Sequence, residues 1–290
     1  MKTSTILELT RRWTPKPLKE AVRLPLSWIG RHYMVPKGER FLNVVLGQLP
    51  DACSFVQIGS NDGKNGDPLH RFITTRPWSG LVVEPVPYLF DRLKATYAAK
   101  EGIISANVAI VSHPTESDFY FVREEANKIL ELPGWYDQIG SFSRDHIIKH
   151  FGEKIRPFIE ARRVQQLRLD TLLKINNVIK LDLIHIDCEG YDYEILKSVD
   201  FAVWRPKVVI FEHKHLCSND KRDAFELLSK SGYYGIVLDS DVVALDSGIW
   251  RQTTYFRRRY LSKRQSFHAC DVPPSERADS RGAGASAVPL

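Results

Sequence analysis

The sequence predicts an α/β fold, a doubly wound and mostly parallel sheet with an antiparallel edge and helices on both faces. Three observations predict it. Phe55-Val56-Gln57-Ile58 runs into the two-glycine turn Gly59-Ser60-Asn61-Asp62-Gly63, and Asp67-Pro68 then opens a helix, proline being well placed at a first helical position. A second apolar run, Gly80-Leu81-Val82-Val83, ends in Glu84, about 20 residues on, where such folds place a carboxylate that accepts hydrogen bonds from a ribose. A third, Leu181-Asp182-Leu183-Ile184-His185-Ile186, delivers Asp187-Cys188-Glu189-Gly190-Tyr191 at its carboxyl end.

The remaining elements follow in order. Strands are expected near 53–58, 80–84, 102–108, 117–122, 163–168, 181–187, 206–212, 233–238 and 252–257, and helices near 67–75, 87–99, 143–151, 170–177, 191–197 and 219–231. The helix at 219–231 has Ser218 or Asn219 as its cap and Gly232 just past its end, the usual punctuation of a helix. Strands 53–58, 181–187 and 206–212 are nearly continuous in apolar residues, as expected where helices cover both sheet faces. Residues 123–162 interrupt the alternation and read as an insertion of loops and one helix, and long excursions of this kind often form a lid.

The flanks differ from this domain. Of the net charge of +6, residues 1–50 carry a surplus of six, nine Lys or Arg against three Glu. Leu18, Ala21, Val22, Leu26, Trp28 and Ile29 suggest short amphipathic helices there, broken near Pro25. Residues 1–50 are therefore read as a basic, partly helical extension, 51–262 as the catalytic domain, and 263–290, rich in Ser, Arg, Gly and Ala, as a disordered tail. The basic arm offers peripheral contact with an anionic membrane surface; nucleic acid is not the expected partner. Four cysteines without metal spacing (Cys53, Cys188, Cys217, Cys270) fit a reduced, cytoplasmic protein. No apolar run reaches the ~18 residues of a membrane span, and the N-terminus lacks the apolar core of a secretory signal.

The glycine turn narrows the ligand. A dinucleotide site wants G-x-G-x-x-G, whereas here Gly59 and Gly63 stand four apart, a loop suited to a ligand without a pyrophosphate. S-adenosylmethionine is such a ligand. Its amino-acid end would meet the loop, its ribose Glu84, and its adenine the apolar rim after the third strand.

Phe55–Gly63, Glu84-Pro85, Asn107-Val108-Ala109, Leu169-Asp170-Thr171-Leu172, Ile186-Asp187-Cys188-Glu189-Gly190-Tyr191 and Phe211-Glu212 resemble, in order, the motifs of the FkbM-type methyltransferases across about residues 52–245. The block Ile186–Tyr191 is the most specific part. The resemblance implies a Rossmann-like class I fold, S-adenosylmethionine as cofactor, and O-methylation of a sugar, glycan or natural-product hydroxyl. Two departures stand out. Gln57 occupies the place of the family's usual Asp, so an acidic contact near the methionine amine is lost or replaced, and Ser60 stands where Ala is frequent.

Candidate residues divide by role. Gln57, Gly59, Asn61, Gly63 and Glu84 are expected to hold the cofactor. Asp187, His213 and His215 are the candidates for proton transfer, carboxylate and imidazole both serving as general bases near neutrality. Glu189, Tyr191 and Trp135 are the candidate acceptor contacts. A divalent metal shared by Asp187 and Glu212 is compatible with the pattern but not required by it. An RNA-modifying methyltransferase and a noncatalytic binding module on the same fold stay open as alternatives.

Overall fold

A computed structural model describes residues 37–260 and the pair 266–267. The proposed amphipathic segments of residues 18–29 and the tail beyond 267 lie outside the described residues. Helix α1 (Lys37–Gly47) leads to β1 (Ser54–Ile58), α2 (His70–Thr75), β2 (Ser79–Val83), α3 (Pro87–Tyr97), β3 (Ile103–Ala106) and β4 (Ala109–Ile110). Then come β5 (Phe119–Val122), α4 (Ala126–Leu130), α5 (Arg144–Phe151), β6 (Ile159–Arg162), β7 (Gln166–Leu167), α6 (Leu169–Ile175), β8 (Leu183–Ile186), α7 (Asp192–Lys197) and β9 (Val208–Glu212). The chain continues through α8 (Ser218–Lys230), β10 (Tyr234–Leu238), β11 (Asp241–Leu245), α9 (Ser247–Gln252), α10 (Thr254–Tyr260) and β12 (Ser266–Phe267).

The main sheet has the order β12-β10-β11-β9-β8-β1-β2-β3. The five strands from β9 to β3 are parallel, and β11 enters antiparallel beside β9. The order in which the chain adds strands therefore reverses between β1 and β8, the switch point where the loops after two neighbouring strands part and leave a crevice. Alternate residues of each strand feed opposite faces. Val56, Ile58, Leu81, Val83, Ile184, Ile186, Val209 and Phe211 pack with α6, α7 and α8, while Phe55, Val82, Leu183, Val208 and Ile210 pack with α1, α2 and α3. Helix α1 belongs to that second layer. Its Phe41, Leu42, Val45 and Leu46, with Leu49 beyond its end, are buried along one helical stripe, each stabilising by roughly 1.5–3 kcal/mol.

Several expected strands are placed differently. Residues 117–122 and 163–168 do not join the main sheet: β5 pairs antiparallel with β6, and β7 pairs parallel with β4. The cause is the insertion between them, which closes into its own subdomain around Tyr136, Ile139, Ile147, Phe151 and Ile155. It contains two α-helices, α4 and α5, where one was expected, together with 3-10 turns at Tyr136–Gln138 and Glu153–Phe158. Residues 252–257 are helical, not a strand. Asp246 caps α9 by accepting from Ile249 N at 2.7 Å. Trp250 then stacks on Tyr234 at 4.7 Å, with the Arg257 guanidinium 3.3 Å from its ring, and α10 packs against α1. The antiparallel place is taken instead by β11, absent from the sequence-based assignment because it follows β10 after only a two-residue turn. The cap of α8 is Cys217, whose Sγ accepts from Asp220 N at 3.4 Å, rather than Ser218 or Asn219.

Candidate active site

The loop after β1 is held by backbone geometry. Gly59 and Ser60 donate to Val83 O at 3.0 and 2.9 Å, and Gly63 donates to Ser60 O at 2.8 Å. Gly59 has φ +77°, and a Cβ there would lie 1.8 Å from Asp187 O, so no other residue brings the β1 and β8 loops this close. Gly63 has φ +70° and packs where a Cβ would meet Leu93 and Tyr97 at 2.6 Å. The Ser60 hydroxyl donates to Gln57 O and accepts from Val83 N, both at 3.1 Å, and so ties β1 to β2 in a way alanine would not. Gln57 lies beneath this loop. It is buried and in register with His185 of β8, and its Nε2 donates to Asp67 Oδ1 at 2.9 Å. Asp67 also accepts from Leu69 N and from the Tyr97 hydroxyl. An acid is thus present beside the glycine loop, supplied by the following turn instead of by β1.

Glu84 stands at the carboxyl end of β2. Only 3% of its surface is exposed, and it accepts from Asn61 N at 2.9 Å and Val86 N at 2.8 Å. Burial pushes its carboxyl up to about 7, against the pull of those two amides, with Asp187 and Asp137 adding to the rise. Each oxygen keeps a lone pair beyond its amide bond.

These loops open onto a cavity of about 350 Å3, at the lower end of the range for small-molecule sites. Gly59, Asn61 and Glu84 form one side, Val108, Ala109 and Ile110 an apolar rim, and Asp187 to Tyr191 the opposite side. The insertion supplies a further wall through Gln138 and residues 140–143, where Phe142 meets Phe119 edge-on at 5.1 Å and Tyr191 at 6.3 Å. Asp187, half-buried where it lines the cavity, is raised above the usual carboxylate range chiefly by burial.

The turn after β8 is strained where it faces the cavity. Glu189 has φ +51° and Gly190 φ +99°, and a non-glycine residue in the left-handed region costs about 1–3 kcal/mol. Asp192 holds it there. Fully buried, it accepts from Cys188 N at 3.4 Å, Gly190 N at 3.2 Å and Glu212 N at 3.2 Å. It braces both strand ends, a role absent from the sequence-based assignment because an acid in the first turn of a helix reads as ordinary capping.

The remaining candidates separate. Trp135 does not line the cavity; it is 44% exposed and stacks on Phe151 at 5.3 Å. His213 and His215 were expected on one side of an extended chain, but residues 213–216 turn, with Leu216 N donating to His213 O. His213 consequently points away, its Nε2 3.1 Å from Asp239 O. His215 Nε2 lies 3.4 Å from Glu189 Oε2 and 3.7 Å from Glu212 Oε1. Neither histidine lines the cavity.

His215 is not half of an ion pair at neutral pH. Burial, aided by Lys214, His150 and His146, pushes its imidazole down to about 4. Burial first, then neighbouring carboxylates, raises Glu189 to about 7 and Glu212 to about 8. Opposite them, α5 presents His146 and His150, both shifted downward chiefly by burial. The ligand atoms of His146, His150 and Glu189 lie within 4.8 Å of one another, as do those of Glu189, Glu212 and His215. Asp187 belongs to neither group. The signal for the α5 histidines was in the sequence, a pair four residues apart that a helix places on one face, but it fell inside the insertion.

Among known proteins, no curated sequence matches the chain. Solved structures of distant sequence align with it. An FkbM methyltransferase from Methylobacillus flagellatus is 14% identical over 72% of this chain at a TM-score of 0.40; the present chain spans about half of that protein, 48%. An O-methyltransferase from Bacillus cereus, solved in complex with SAH, is 15% identical, covering 85% of this chain and 92% of its own, at a TM-score of 0.36. A precorrin-6y C5,15-methyltransferase from Geobacter metallireducens is 10% identical, covering 71% of this chain and 87% of its own, also at 0.36. Residues 57–234 match the methyltransferase FkbM domain. That match runs from the strand beneath the glycine loop to the start of β10, includes every loop around the cavity, and covers more than half of the sequence. The chain belongs to the FkbM methyltransferase family, and its mostly parallel sheet with an antiparallel edge is Rossmann-like.

Proposed function

We propose that the protein transfers a methyl group from S-adenosylmethionine to a hydroxyl of a sugar, glycan or natural-product acceptor. The observation that carries this reading is the cavity at the β1–β8 switch point, with Glu84 on one side and Asp187 on the other. Its residues fit the cofactor. Glu84 has acceptor capacity left for a ribose diol, the rim of Val108, Ala109 and Ile110 suits an adenine, and Gly59 to Asn61 with nearby Asp67 suit a charged amino-acid end. When bound, S-adenosylmethionine supplies an electrophilic methyl group.

What remains for the protein is alignment and proton transfer. Holding two reactants in attacking geometry is worth roughly 7–11 kcal/mol in favourable systems. Asp187, on the side of the cavity opposite Glu84, accepts the proton of the acceptor hydroxyl. Its raised carboxyl makes it a stronger base than an exposed aspartate. Glu189 and Tyr191 orient the acceptor, and the Gln138–Ser143 wall excludes water. The test is methyl transfer from isotopically labelled cofactor to panels of sugars, glycans and polyhydroxylated natural products, with products located by mass spectrometry. A methyl ether that disappears with Asp187→Asn supports the reading. Label on nitrogen or carbon, or cofactor binding without transfer to any hydroxyl, overturns it.

A further inference from the structure

Of nine side-chain atoms buried without a hydrogen-bond partner among the described residues, three fall together beside the cavity: Glu189 Oε2, Glu212 Oε2 and His146 Nε2. Leaving a polar atom unpaired in this way typically costs about 1–3 kcal/mol. All three belong to one cluster, in which His146 and His150 from α5 meet Glu189, Glu212 and His215 from the strand-end loops. The ring centroids of His146 and His150 are 4.7 Å apart and those of His150 and His215 5.4 Å apart. Glu189 is common to both sets of mutually close ligand atoms. We propose that this cluster is a binding site for a divalent first-row transition ion, shared between the insertion and the catalytic sheet.

Donor chemistry selects the class of ion. Three imidazoles and two carboxylates form a mixed nitrogen–oxygen set, which suits zinc, manganese, iron(II) or cobalt, whereas magnesium and calcium favour oxygen alone. The histidine pair spaced i, i+4 on one helix turns two nitrogens to the same side, as in other helical metal sites. A bound cation would engage Glu189 together with the unpaired His146 nitrogen on one side or the unpaired Glu212 oxygen on the other, and would offset the repulsion between the two carboxylates. Glu189 also lines the cavity, so the ion would stand on its acceptor side. Lowering the pKa of an acceptor hydroxyl there rests on the function proposed above, whereas binding of the ion does not.

The experiment uses the untagged full chain, stripped with a chelator and titrated with Co2+ as the probe. Stoichiometry is read by elemental analysis, and the ligand field by visible absorption. One ion per chain, with an absorption band from nitrogen–oxygen coordination, is the expected result. The His146→Ala/His150→Ala double variant should bind at least about a hundredfold more weakly, since even removing groups behind the ligands costs 10–100-fold. Glu189→Gln, checked for folding by circular dichroism, gives an independent loss of affinity. Failure of the stripped wild type to take up Co2+ or Zn2+ overturns the proposal. So does uptake unchanged in both variants, or a site that accepts only Mg2+ and ignores the histidines. Each result is read without cofactor or acceptor, and so is independent of whether methyl transfer is the reaction.

Discussion

Replacing Glu84 by glutamine separates the two duties of that side chain. Its carboxylate takes the Asn61 amide on one oxygen and the Val86 amide on the other, at 2.9 and 2.8 Å, with 3% of the residue exposed. Glutamine keeps one acceptor and turns an NH2 donor toward the second amide. That buried amide loses its partner at a cost of about 1–3 kcal/mol, in the free and bound states alike, so it lowers the melting temperature without touching affinity. Loss of the charged acceptor for a ribose hydroxyl appears only on binding. A charged hydrogen bond is worth about 1.5–3 kcal/mol, which weakens Kd by roughly ten- to hundredfold. Calorimetry with S-adenosylhomocysteine, which cannot turn over, measures the second effect, and thermal melting the first. pH gives a further handle. Because the free carboxyl is pushed up to about 7, wild-type affinity should rise as pH passes through that value, and the glutamine variant should be flat. No binding by the wild type would remove the cofactor cavity. Equal affinities with equal pH profiles would remove the ribose role of Glu84.

The same carboxyl makes a prediction for the ligand-free fold. A folded-state value near 7 against an ordinary 4.5 means that its contribution to stability is intact below about pH 4.5 and is lost as pH rises to about 7. The wild-type stability relative to Glu84→Gln should therefore fall across that window by on the order of 3 kcal/mol, measured by denaturant unfolding; a constant difference would refute it. Asp187→Asn should lower turnover by about 10²–10⁴-fold, the usual worth of a general base, while calorimetric cofactor affinity stays within a few-fold. Full turnover would leave Asp187 a structural role. Gly59→Ala drives a methyl into Asp187 O at 1.8 Å and holds φ at +77°, so a loss of roughly 4 kcal/mol or more should show as a collapsed melting temperature. A variant that melts with the wild type would show that the two loops can part.

The parallel half of the sheet was legible because its signals are local. Each signal spans only a few residues, an apolar run carrying the Gly59–Gly63 turn, Glu84 or Asp187 at its carboxyl end, and backbone sterics fix what it forms. The misread segments depend on partners far along the chain. Thr254–Tyr260 has strand-compatible residues, and only packing on α1 and the Trp250–Tyr234 stack make it helical. Phe119–Val122 is a good strand whose partner is set by the closure of the insertion, not by its own pattern. At the site, the line of reactive groups along β8 and β9 was readable, but the direction of His213 was not, since a turn at 213–216 reverses the alternation an extended chain would have. His146 and His150 were hidden for a related reason. They sit about 40 residues before Glu189 in sequence and meet it only because β5 and β6 fold the insertion back over the crevice.

The position of β11 has a consequence for how the molecule is made. Although it follows β10 in sequence, β11 lies between β10 and β9. β10 is therefore synthesised before the strand that must attach it, and it has no neighbour in the main sheet until Asp241–Leu245 exists. The short turn lets β10 and β11 zip together first, as a local event, and then dock as a pair along Val208–Glu212. Until then the apolar edge of β9 is an open template for any passing strand. A chain released or cleaved near residue 240 would carry every loop of the cavity and still expose that edge, so it should aggregate before it could bind anything. For a nascent polypeptide, the dangerous interval ends when Leu245 clears the ribosome.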